Sequence, residues 1–463
     1  MKRLVLAALA AFAVPAAAAD HPRLIVVSDI GNEPDDSESF VRLLTYANQI
    51  DLKGFVASTS TWQREAIHPE LFRERIDGYA KVLKNLRAHD KAYPEAKALQ
   101  ALVKNGQPHY GAAYVGEGFD TEGSNWIIQE ADKPDPRPLW VVNWGGSVDL
   151  AQALYHVRAT RTPEQVKAFV AKLRVYSISD QDDAGPWARV NFPDLVWIAS
   201  INGFSQYGSA TWTGISSDTY GDPHGTHPTG PDTRLVTNEW LDANIRKGAL
   251  GSLYPNWKYQ MEGDTPSVLN LMATGLADPE HPEWGGWGGR YAKVAPQYGL
   301  YSNVNDSVEG VDGKSYNSNQ ATIWRWRKAY QNDFAARIAW TLTPKFTAAN
   351  HAPIAVLNGD RSSAPLRITA HYGTPVMLSA DGTSDPDHNT LTTKWWIYGE
   401  ASSPGVKPQL TIKDSSHAEL VVPAAEPYPG YGAEREIHVI LEVWDDGAPA
   451  LVAYRRAVVT VRP

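Results

Sequence analysis

The sequence predicts an α/β unit built on a mostly parallel sheet with flanking helices, followed by an all-β Ig-like sandwich. Three observations predict it. Apolar runs alternate with helix-period patterns through the first two-thirds of the chain; the texture then turns to long loops rich in Gly, Pro, Trp and Tyr; and after Thr347-Ala348-Ala349-Asn350-His351-Ala352-Pro353 only short β-like runs remain. At the amino terminus, Met1-Lys2-Arg3, an alanine- and leucine-rich run and Ala17-Ala18-Ala19 have the three regions of a secretory signal cut before Asp20. The expected division is therefore a signal over 1–19, the α/β unit over 20–347 and the sandwich over 348–463. Two cores suit the remaining length, because a single hydrophobic core rarely grows past ~250–300 residues.

The first strand is expected over 24–27, a wholly apolar run of the kind buried on both faces of a parallel sheet. Asp35 and Glu38 have the spacing of a capping box, and Phe40, Val41, Leu44 and Ala47 recur at helical period behind them. Further strands are read over 54–58, 139–143, 174–179 and 195–200, with helices over 70–89 and 148–157 between them. Beyond Asn202 the loops have the length of lids or binding walls, and a helix over 323–341 closes the unit. In the last part, strand-like runs over 365–370, 375–379, 393–398, 418–422 and 437–443 are separated by turn clusters at sandwich spacing. Gly382-Thr383-Ser384-Asp385-Pro386-Asp387 reads as turn chemistry.

Charge and composition narrow the partners. The formal charge of -9 becomes -11 without Lys2 and Arg3, which argues against nucleic acid or an anionic surface and for a neutral partner. No later run approaches the ~20 apolar residues of a membrane span, so the expected product is soluble and secreted or periplasmic. There is no cysteine, so disulfides contribute nothing. The 17 Trp and 21 Tyr suit a sugar binder, since the apolar face of a pyranose can lie on an indole.

The most informative stretch is Leu24-Ile25-Val26-Val27-Ser28-Asp29-Ile30-Gly31-Asn32-Glu33-Pro34-Asp35-Asp36. Asp29, Glu33, Asp35 and Asp36 exceed what one helix cap needs, and like charges packed together rise in free energy unless a cation neutralises them. The loop also leaves the carboxyl edge of the predicted sheet, where such sheets bind ligands.

This segment resembles the amino-terminal signature of nucleoside hydrolases, an Asp-x-Asp-x-Gly-x-Asp-Asp loop that binds calcium and the ribose. Val27 stands at the first Asp, and two extra residues separate Gly31 from Asp35-Asp36. Over nearly the whole mature chain the sequence resembles secreted bacterial cellulose-binding proteins with a nucleoside hydrolase-like domain. The likeness is carried by the acidic segment, Trp144-Gly145-Gly146, Asp180-Gln181-Asp182-Asp183-Ala184-Gly185-Pro186-Trp187 and Glu262-Gly263-Asp264-Thr265-Pro266-Ser267. The carboxyl-terminal part resembles Ig-like and PKD-like modules.

The resemblance implies a secreted, calcium-dependent glycosidase acting on a glycoside or oligosaccharide of plant or microbial polysaccharide. It also admits a non-catalytic carbohydrate-binding protein or a periplasmic nucleoside N-ribohydrolase. By the same likeness, Ca2+ would be held by Asp29, Asp36, the Val148 carbonyl and Asp264, with Asp29 as general base. Asp35, Asn191, Asp182 and Trp144 would face the sugar. Many nucleoside hydrolases carry a His where Gly263 stands, which weakens the nucleoside reading and leaves Glu262 as the expected general acid. Trp284-Gly285-Gly286-Trp287-Gly288-Gly289-Arg290 reads either as a turn whose Trp residues plug the core or as an aromatic platform for a glycan; its glycine density favours close approach to the backbone and so Trp287 on the cleft wall. Asp222-Pro223-His224-Gly225-Thr226-His227 has metal-like spacing, but no helix fixes it and zinc is disfavoured.

Overall fold

A computed structural model describes residues 21–202, 204–217, 230–426 and 428–463. The expected signal over 1–19 and the Asp222 to His227 stretch lie outside the described residues.

The amino-terminal part is organised by one sheet of eight strands: β1 Arg23–Ser28, β2 Asp51–Ala57, β3 Val103–Asn105, β4 Leu139–Asn143, β5 Leu173–Ser179, β6 Val196–Ser200, β7 Tyr291–Lys293 and β8 Leu300–Asn303. Their order is β3-β2-β1-β4-β5-β6-β8-β7, parallel throughout except for β7 against β8. Along β1 the side chains alternate between two cores. Leu24 and Val26 join the one covered by helices Asp35–Thr45, Pro69–His89 and Arg327–Leu342; Ile25 and Val27 join the one covered by Glu122–Asp132, Val148–Thr160, Pro163–Val170 and Ala184–Asn191. With both faces covered, the strand has no polar side to show, which explains its unbroken apolar run. The strand order reverses direction between β1 and β4, and at such a switch point the outgoing loops diverge and leave a crevice.

The five strands expected in this part are all present, with ends shifted by up to three residues. β3, β7 and β8 were not legible, being three or four residues long. The helix expected over 323–341 is two pieces, Ala321–Trp324 and Arg327–Leu342.

The carboxyl-terminal part pairs a four-stranded sheet, in the order Leu366–His371, Val452–Arg462, Arg435–Trp444, Thr392–Ile397, with a three-stranded sheet of Val376–Ser379, His417–Val421 and Gln409–Ile412. Leu378, Leu420, Val439 and Val459 fill the space between them. The outer face of the larger sheet packs on the α/β part: Ile440, Val452, Tyr454 and Tyr398 belong to its first core. Trp326 meets Trp396, Tyr398 and Tyr454 at centroid distances of 6.0, 6.1 and 5.7 Å.

This junction corrects one expectation. Trp287 is buried beside Tyr454, its indole Nε1 3.5 Å from the Tyr454 hydroxyl, and is not on a cleft wall. The surrounding glycines answer to protein: a Cβ on Gly288 would stand 2.4 Å from the Pro266 carbonyl oxygen, and one on Gly286 2.6 Å from the Ala277 Cβ.

Candidate functional site

β1 delivers Asp29 directly to the crevice. The preceding Ser28 points its hydroxyl at Asp36, to which it donates, while its oxygen accepts the Ile30 N–H at 3.0 Å. The helix Asp35–Thr45 starts without a side-chain cap, on Pro34, so the expected capping box does not form. Glu38 reaches across instead and accepts the Glu262 N–H at 2.8 Å. Asp35 and Asp36 are therefore released from capping and line the crevice. Asp264 arrives from a distant loop, just ahead of the short helix Thr265–Leu269. Asp35, Asp36 and Asp264 each offer an oxygen within 4.8 Å of the others, and Asp264 Oδ2 is buried with no hydrogen-bond partner.

These acids line a cavity of about 370 Å³ together with Asp29 and Glu33. Its other walls are Trp62, Trp144, Ile178, Gln181, Tyr207, Trp212, Tyr259, Gln260 and Pro34. The indoles are fixed by their own hydrogen bonds, Trp144 Nε1 donating to Ser267 Oγ and Trp212 Nε1 to Ser179 Oγ, each at 2.9 Å. Gly145 closes against Asp29, where a Cβ would stand 2.6 Å from Oδ1.

Burial dominates the electrostatics. It raises the Asp29 carboxyl to about 6, partly offset by a hydrogen bond from Ser60, and raises Asp35 to about 7 with help from the negative Asp29 and Glu33. Asp36 and Asp264 are pushed well above the carboxylate range by burial and then by the neighbouring aspartates. Three converging oxygen donors, one of them an orphaned buried oxygen, fit a hard divalent cation, whose charge would offset the cost of ionising them together.

Asp29, Asp35, Asp36, Asp264 and Trp144 are thus brought together. The other expected site residues are not. Glu262, expected as general acid, is fully buried behind the cavity wall: Arg42 binds it through Nε at 2.5 Å and Nη2 at 3.0 Å, and the Tyr254 hydroxyl donates to it at 2.8 Å. Both its oxygens are taken up, and it does not reach the cavity. Asn191 ends the helix Ala184–Asn191, bonded to the Trp187 carbonyl and to Arg158, away from the acids. Asp182 accepts the N–H groups of Ser147, Ala184 and Gly185 at 2.8, 3.1 and 3.2 Å, pinning the Gly-rich turn; its neighbour Gln181 takes the wall position. Val148, expected to offer its backbone carbonyl, opens the helix Val148–Thr160 and is not among the residues that line the cavity.

Sequence reasoning missed Trp62, Gln181, Tyr207, Trp212, Tyr259 and Gln260. Two carried a usable signal. Gln181 follows β5 and Trp62 follows β2 at the carboxyl edge of the sheet, where ligand-facing loops emerge.

Residues 23–291 match the model of the cellulose-binding Sde182, nucleoside hydrolase-like domain, and residues 375–461 that of the cellulose-binding protein Sde0182, C-terminal domain. A solved structure of a nucleoside hydrolase-related protein from Saccharophagus degradans, described as associated with carbohydrate metabolism, is 34% identical, covers 96% of this chain and 100% of its own, and superposes with a TM-score of 0.79. The effector XOO4466 and the type III effector XopQ complexed with adenosine diphosphate ribose are each 12% identical. They cover 71% and 55% of this chain and 95% and 82% of theirs, at TM-scores of 0.29 and 0.26, too low to carry an argument. No curated protein matches the chain.

Proposed function

Because the chain belongs to the family of cellulose-binding Sde182 proteins with a nucleoside hydrolase-like domain, we propose that it is an exported, calcium-dependent glycosidase acting on a neutral saccharide. One observation carries this reading: Asp29, Asp35 and Asp36 from the loop after β1 are joined by Asp264, more than 200 residues later in the chain, in a cavity walled by aromatic rings. Asp36 and Asp264 are the residues to hold calcium, with Asp35 shared between the ion and sugar hydroxyls. When bound, the ion would neutralise the cluster and acidify a coordinated water. Asp29, near enough for its charge to raise Asp35 and Asp36, would accept the proton of the attacking water. Trp144 and Trp212 line the cavity with apolar rings, and the carboxylates would stabilise oxocarbenium character as the glycosidic bond lengthens.

A second reading is favoured by the state of Glu262. With that carboxylate held by Arg42 and Tyr254, the leaving group has no acid from the position the resemblance suggested, which suits a protein that binds carbohydrate without cleaving it. The test is a turnover screen of the protein, with calcium, on aryl glycosides, cello-oligosaccharides and nucleosides, repeated with Asp29→Asn. Under the enzyme reading, Asp29→Asn keeps affinity and loses on the order of 100- to 10000-fold in rate, the usual cost of removing a general base. Equal turnover by the two proteins refutes that role. Saccharide affinity with no turnover on any substrate establishes the binding reading.

A further inference from the structure

Trp62 and Tyr259 stand apart from the other aromatic residues of the cavity. Trp62 is 52% exposed and Tyr259 71% exposed, and among the described residues they are the large exposed apolar side chains that line this cavity. They come from separate loops, one after β2 and one ahead of Asp264, so two loops bring an exposed ring to the cavity. Packing does not account for their exposure, yet Trp62 is held in place. Its backbone N–H donates to Ser60 Oγ at 2.9 Å, and the adjacent Thr61 backbone N–H donates to the Gln181 carbonyl at 2.7 Å. Its ring is braced edge-on by Tyr207 at 6.3 Å and 70°, and Tyr207 in turn by Trp212 at 5.6 Å and 73°. A row of rings, Trp212, Tyr207 and Trp62, therefore ends in an exposed indole on a loop tied by backbone hydrogen bonds. Such a surface is pre-organised, and the ordering cost of using it has already been met in folding.

We propose that Trp62 and Tyr259 form a subsite for sugar rings beyond the one seated over the aspartates, and that the ligand of this cavity is a linear pyranose chain, not a single ring or a nucleoside. The proposal rests on the carbohydrate reading above and specifies its ligand. The chemistry fits at both levels. Carboxylates and a cation at the floor recognise hydroxyls, and exposed aromatic faces at the mouth recognise the apolar C–H faces of pyranoses that a neutral chain presents one after another.

Titration calorimetry with calcium present tests it, using glucose, cellobiose, cellohexaose and adenosine as probes on the wild type, Trp62→Ala, Tyr259→Ala and Asp35→Ala. The expected result is affinity that rises from glucose to cellohexaose. In Trp62→Ala or Tyr259→Ala the hexaose-to-glucose affinity ratio should fall on the order of tenfold, the size expected for truncating an aromatic anchor. Asp35→Ala should weaken every saccharide. Equal wild-type affinity for glucose and cellohexaose overturns the subsite, while sensitivity of both to Asp35→Ala leaves the acidic cavity standing. A length dependence untouched by either aromatic variant places chain binding elsewhere on the molecule and also overturns it. Adenosine binding tighter than cellohexaose and lost in Trp62→Ala makes the rim a base platform instead, and no binding of any saccharide removes the carbohydrate reading itself.

Discussion

Replacing Asp35 by Asn should stabilise the cation-free protein and weaken its response to calcium. In the folded protein the Asp35 carboxyl titrates at about 7 against an ordinary 3.8, through burial and then the negative Asp29 and Glu33. A raised carboxyl costs nothing at a pH where folded and unfolded chains are both protonated. As pH climbs past 3.8 the unfolded chain releases its proton and the folded chain keeps it, so stability falls until the folded group ionises near 7. At 1.36 kcal/mol per pH unit, that interval corresponds to on the order of 4 kcal/mol at pH 8, an upper bound on what Asn recovers because it stays polar and enclosed. The assay is thermal and urea unfolding followed by tryptophan fluorescence, at pH 5 and pH 8, in chelator and in calcium. In chelator, the wild type should be less stable at pH 8 than at pH 5, and Asp35→Asn should gain on it as pH rises. Calcium should reverse the order at pH 8, since binding to the native state alone stabilises it and the ligands must be ionised. A wild type indifferent to chelator, or an Asp35→Asn variant less stable at pH 8 without cation, would refute the reasoning.

Arg42→Met should lose about 3–5 kcal/mol, because it strands the Glu262 carboxylate inside the protein, and Arg42→Met with Glu262→Gln should recover part of it; urea unfolding of both variants decides. Gly145→Ala should preserve the melting temperature within a few degrees and leave calcium affinity by calorimetry unchanged, yet lower turnover of any substrate the wild type cleaves, because the new methyl would press on Asp29 Oδ1. Trp287→Ala should cost about 3–5 kcal/mol by opening the packing against Tyr454 while leaving saccharide affinity unchanged; reduced affinity at an unchanged melting temperature would return Trp287 to the ligand.

The family and the fold were legible because their signals are local. The apolar run of β1 and the acids behind it are contiguous, and the residues carrying the resemblance sit in short motifs that need no third dimension to read. The last strand, Val452–Arg462, shows where local reading stops. It is the longest strand of its sheet and lies between two others, but its pattern is broken by Tyr454 and Arg456, which serve the contact with the α/β part, and by Arg455, which holds Asp360 within the carboxyl-terminal part.

By itself the sequence determined that β1 ends in an acidic loop at a sheet edge, that Asp264 is available from a distant turn, and that the chain carries far more aromatic residues than one core needs. Only the tertiary structure decided which of these meet. Glu262 and Asp264 are two residues apart, yet one is turned onto Arg42 in the core and the other into the cavity; Glu262 itself adopts a positive φ of 51° there. Gln181 and Asp182 divide in the same way, the amide lining the wall and the acid pinning the turn behind it. The physical reason is that neighbours in a tight loop point to different sides. Which side holds ligand and which holds a buried partner depends on groups such as Arg42, 220 residues away in the chain.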